Sequence, residues 1–189
     1  MKTRLMSVGL LAALATGAVP ARATPAQVII IRHGEKPDEG NELSPRGFQR
    51  AQALVDFFEH SPAVTRHGTP AAIYAMNPKD EDGSLRPIQT VTPLAEALGL
   101  RIDHDYVKDE LPQLVKDIKA NHAYDGKMVL ICWEHKMIPV LVSDFGWNSA
   151  PKSWKGKVFD QAWVLDFEGD AVSSFRIVPE HVLPGDAAE

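Results

Sequence analysis

"QVIIIRHGE", residues 27–35, runs a valine and three isoleucines into an arginine, a histidine, a glycine and a glutamate. The run from Gln27 to Ile31 is continuous and rich in β-branched side chains. It predicts a strand buried on both faces, as in a parallel sheet. That strand stops abruptly on charge, at Arg32 and His33.

A second strand of the same kind is predicted over Lys127–Trp133, and it ends in Glu134 and His135. Between and around the two, helical and extended patterns alternate. Ser44 followed by Pro45 predicts a helix start. Phe48, Ala51, Leu54, Val55 and Phe58 give that helix an apolar face. "AAIYAM" (71–76) reads as a short strand, and Pro87–Leu98 as a helix closed by Gly99. "LRID" (100–103) reads as an edge strand and Asp109–Asn121 as a helix. Ile138–Phe145 reads as a short helix and residues 146–157 as a loop. "QAWVLDF" and "SSFRIVP" form an antiparallel pair at the sheet edge. The last residues, "PGDAAE", are expected to fray. Strands alternating with helices predict an α/β layered domain with a mostly parallel sheet.

Sites in open α/β sheets form outside the carboxyl ends of the strands. Three such ends carry notable residues. Arg32 and His33 follow the first strand, Ser84 to Arg86 precede a helix after the second, and Glu134 and His135 follow the strand at 127–133. Two arginines and two histidines brought to one edge repel each other unless an anion lies between them. A phosphoryl group fits, because the guanidinium fork matches its oxygens. The helix start near Pro87 adds a positive end. Gly34 is expected to let the backbone approach a bulky anion closely.

These residues carry a resemblance. "RHGE", "LSPRGFQRAQAL", "SLRPIQTVTPLAEALGL" and "VLICWEH", in that order, resemble the histidine phosphatase superfamily of phosphoglycerate-mutase-like proteins. The resemblance implies a three-layer α/β sandwich, a mostly parallel central sheet flanked by helices. It implies His33 as a nucleophile that becomes phosphorylated during turnover, and Arg32, Arg86 and His135 as the phosphate-binding pocket. It also implies a general acid just past "LGL", where Glu110 stands; Glu134, beside His135, is the rival. No metal and no cofactor are expected. Asp103 and Asp105 flank His104 on a stretch where adjacent side chains alternate, so "DHD" reads as surface. Cys132 reads as a small buried hydrophobe.

The amino-terminal residues are of another kind. Lys2 and Arg4 precede an apolar run from Met6 to Val19, then "PARA". This reads as a secretory signal peptide, residues 1–23, cut after Ala23. Residues 24–189 would then be a single histidine-phosphatase-like domain, periplasmic or secreted. Loss of Lys2, Arg4 and Arg22 moves the formal charge from −5 to −8. An acidic chain without a basic stripe is a poor partner for nucleic acid, and no membrane contact is expected after cleavage. The function expected is an exported phosphatase acting on a small phosphate monoester. The alternatives are a phosphohistidine (protein) phosphatase and a catalytically inert anion-binding module of the same fold.

Overall fold

The computed structural model describes residues 24–186; the signal segment read at 1–23 and residues 187–189 lie outside them. Strand β1 (Gln27–Arg32) leads to helix α1 (Pro45–His60), β2 (Pro70–Ala75), α2 (Arg86–Leu98) and the short β3 (Ile102–Asp103). Then come α3 (Leu111–Ala120), β4 (Met128–Trp133), α4 (Ile138–Asp144), β5 (Gln161–Glu168) and β6 (Ala171–Pro179). The six strands form one sheet in the order β3-β2-β4-β1-β5-β6. β1 to β4 pair in parallel, and β5 and β6 add as an antiparallel edge.

β1 is central, and every residue in it is buried. Successive side chains of a strand point to opposite faces, so both faces need a cover. Val28 and Ile30 join Val129, Ile131, Trp133 and Trp163 in a core closed by α3 and α4. Ile29 and Ile31 join Leu130, Cys132 and Ala162 in a core closed by α1 and α2. The molecule is the three-layer α/β sandwich that the resemblance implies.

Local chemistry fixes the helix ends. Ser44 Oγ accepts from the Gly47 amide at 3.1 Å, and Pro45 occupies the first turn. Gly99 closes α2 in the left-handed region at φ 64°. α2 continues through Pro93 to Leu98.

Two expectations are corrected. Phe48 is 45% exposed and takes no part in the apolar face of α1. The inward face runs instead through Gly47, Arg50, Ala51, Leu54, Phe57 and Phe58. Gly47 sets this rotation: a Cβ there would lie 2.3 Å from the Glu35 carbonyl oxygen, so only glycine can face that loop. The tail at 184–186 is also not frayed. Asp186 accepts from the Val182 and Leu183 amides and from Arg50.

Candidate active site

The order of the strands assembles the site. β1 and β4 are neighbours in register, with Arg32 opposite Trp133. His33 donates its amide to the Trp133 carbonyl at 3.3 Å, so the chain after β1 leaves beside Glu134 and His135. β2 lies on the far side of β4, and its loop returns to start α2 at Arg86. The four residues Arg32, His33, Arg86 and His135 thus converge, and each of the other three acts electrostatically on His33.

His33 is 6% exposed. Its Nδ1 lies 2.7 Å from the Gly34 carbonyl oxygen. A carbonyl only accepts, so Nδ1 carries the proton and Nε2 keeps its lone pair. Burial lowers the pKa of His33 to about 4. The Gly34 contact opposes this, and Arg32, Arg86 and His135 reinforce it. The ring is held as a neutral base with one nitrogen free to attack.

Arg32, 3% exposed, is positioned by a distant loop. Its Nη1 donates to the carbonyls of Gly156 at 3.0 Å and Val158 at 2.8 Å, and its guanidinium carbon stands 3.7 Å over the Phe159 ring. Its Nε is buried without a partner in the protein, as is Nδ1 of His135. Burial lowers the pKa of Arg32 to about 10, which leaves it cationic at neutral pH. Burial and the charge of Arg32 lower the pKa of His135.

Arg86 opens α2. Its Nε donates to the Glu42 carbonyl at 2.8 Å, Nη1 to Ser84 Oγ at 3.3 Å and Nη2 to the Gly40 carbonyl. Two of its five N–H bonds orient it on the 40–42 loop and a third on Ser84, and two remain. Thr90, one turn on, accepts from the Gly34 amide at 2.9 Å and donates to the Arg86 carbonyl at 2.7 Å. It ties the His33 loop to the helix that carries Arg86.

Gly34 serves packing rather than close approach to an anion, which corrects the sequence reading. A Cβ on it would meet the Gly47 carbonyl at 3.0 Å and Leu43 at 3.3 Å, and both its backbone polar groups are engaged by Thr90 and His33. Cys132 is buried in β4, and burial pushes its thiol pKa upward, so it stays protonated. Among the described residues, no three His, Cys, Asp or Glu side chains are grouped to hold a metal ion.

The two candidate acids are placed differently. Glu110 is exposed at the start of α3 and accepts from the Val107 amide at 2.9 Å. Glu134 is half-buried next to His135 and acts on both Arg32 and His135. It is ion-paired with Lys108 at 2.5 Å. Sequence reasoning missed Thr90, Phe159 and the carbonyls of Gly156 and Val158. It also missed the pairing of Glu35 with Arg50, for which Arg50 on the inward face of a helix was the available signal.

No protein-family model and no curated protein matches the chain. Solved structures do. The protein histidine phosphatase SixA, complexed with tungstate, matches at a TM-score of 0.56 and 15% identity over 82% of this chain and 97% of that one. The alpha-ribazole phosphatase from Shigella flexneri matches at 0.54 and 12% identity, over 85% and 100%. A phosphoglycerate mutase from Bacillus anthracis str. Sterne matches at 0.52 and 11%, over 84% and 94%. The chain has the histidine phosphatase superfamily fold. At these identities the likeness is one of fold.

Proposed function

We propose that the chain is a phosphoric monoester hydrolase that works through a phosphohistidine on His33. The observation that carries this reading is a buried, neutral imidazole with Nε2 free, surrounded by Arg32, Arg86 and His135. In the first step Nε2 attacks phosphorus and the bond to the leaving oxygen breaks. In the second, water displaces the histidine and releases inorganic phosphate. Splitting one displacement into two lowers each barrier. The two arginines and His135 stabilise charge on the phosphoryl oxygens, commonly the largest catalytic contribution. Arg86 keeps two N–H donors suited to that anion.

The leaving oxygen needs a proton, and Glu110 and Glu134 remain the candidates. The Lys108–Glu134 pair favours a second reading. Glu134 engaged by Lys108 is not free to reach a leaving oxygen, which suits substrates that need little help in leaving, such as a phosphohistidine. Export is also part of the proposal. Lys2, Arg4, the apolar run and "ARA" support cleavage after Ala23. Thr24 is buried and donates to Asp170 at 3.1 Å, so a chain starting at Thr24 keeps this contact.

A screen of aryl phosphates, alkyl phosphates and phosphohistidine with purified protein tests the activity. Turnover of aryl phosphate, abolished in His33→Ala, is expected. Phosphate binding without turnover of any of the three classes would favour the inert anion-binding module.

A further inference from the structure

Arg50 lies on the inward face of α1 with 2% of its side chain exposed. Its guanidinium holds three carboxylates from two distant parts of the chain. Nε and Nη2 donate to Glu35 at 3.1 and 2.7 Å. Nη1 donates to Glu180 at 3.3 Å and to Asp186 at 3.0 Å, and Nη2 to Asp186 at 2.6 Å. Buried charge of this kind carries a desolvation cost that apolar packing avoids.

We propose that Arg50 is a positioning residue of the active site, and that the tail at 180–186 belongs to the machinery through it. Two arms run from Arg50 to the reacting groups. The first passes through Glu35, the neighbour of Gly34. The Gly34 carbonyl receives the Nδ1 proton of His33, so fixing Glu35 fixes the bond that leaves Nε2 bare. The Glu35 carbonyl also accepts from the Ser44 amide at 2.9 Å, which anchors the same loop to the start of α1. The second arm passes through Glu180, whose amide donates to the Asp160 carbonyl at 2.8 Å. Asp160 follows Phe159, the ring beneath the Arg32 guanidinium. One arginine therefore braces both the nucleophile and its neighbouring clamp from behind, without touching substrate.

The kinetic half of this proposal rests on the phosphatase reading, and the spectroscopic half does not. The test uses the full chain, with Asp186→Asn and Arg50→Lys as variants. Arg176→Met, which removes an ion pair with Asp166 at the far edge of the sheet, serves as a destabilised control. Long-range ¹H–¹⁵N NMR of the imidazoles reads the His33 tautomer. Wild type and Arg176→Met should show Nδ1–H alone, and both brace variants a tautomer mixture. The kcat for an aryl phosphate should fall about tenfold with KM nearly unchanged, inside the roughly 10²-fold that ångström-scale misplacement costs. Should Arg50→Lys fail to fold, Asp186→Asn decides. A folded Asp186→Asn protein with the wild-type tautomer and kcat would overturn the brace. A tautomer mixture in a chain that turns over no phosphate ester would support the brace and remove the phosphatase reading.

Discussion

A histidine can attack phosphorus only from its neutral form, and His33 keeps that form well below neutral pH. Its pKa is lowered from 6.5 to about 4, chiefly by burial. The acid limb of kcat/KM should therefore fall near pH 4 rather than pH 6.5, measured on an aryl phosphate. Linkage fixes the sign for stability. Between pH 6.5 and 4 the unfolded chain takes up a proton at this position that the folded chain refuses, so stability drops as pH falls through that window. His33→Gln should flatten this part of the stability profile, read as Tm against pH. The acid question belongs to single residues as well. Replacing the true acid by Gln should slow alkyl phosphates by about 10²–10⁴-fold while sparing aryl phosphates. Glu134→Gln and Glu110→Gln are compared on both substrate classes. Equal slowing of the two classes, or none, in both variants would remove a dedicated acid from these positions.

The elements show why the site is built where it is. β1 and β4 deliver His33 and His135 to adjacent strand ends, and α1 closes over the loop that follows β1 through Gly47. Gly47→Ala would press a Cβ to 2.3 Å from the Glu35 carbonyl oxygen, with Glu35 N at 3.0 Å. Backbone cannot swing aside as a long side chain can. A loss of about 1–3 kcal/mol is expected, seen as a lowered denaturant midpoint. Ser44→Ala, which removes only the cap, should cost about 1 kcal/mol. A fully tolerated Gly47→Ala would mean the α1–loop contact is looser than described. β1, β4 and the α1 start are readable in sequence because each is fixed by neighbours within a few positions. So is the quartet, since each member sits at the end of an apolar run or the start of a helix. Phe159 and Asp186 are different: they meet Arg32 and Arg50 across 127 and 136 positions, and no local pattern marks such returns. Phe48 lies off the buried face because periodicity gives a helix's apolar arc but not its rotation, which Gly47 sets.

Across the whole molecule, charge is arranged against its own average. The chain is acidic overall, yet Arg32 and Arg86 flank His33 and Arg50 lies buried behind it. Glu35, Glu180 and Asp186 are gathered on Arg50. The proposed export predicts a mature chain beginning at Thr24. Mass spectrometry of protein from the native host should show that terminus, and retained residues 1–23 would contradict it. The central claim, a covalent phosphoryl-enzyme on His33, has a direct measurement. A radiolabelled aryl phosphate is mixed with protein, denatured rapidly without acid, and the labelled peptide mapped. The account predicts an acid-labile, base-stable phosphoramidate on His33 that is absent from His33→Ala. An acid-stable phosphoester on a serine, or full turnover by His33→Ala, would contradict it.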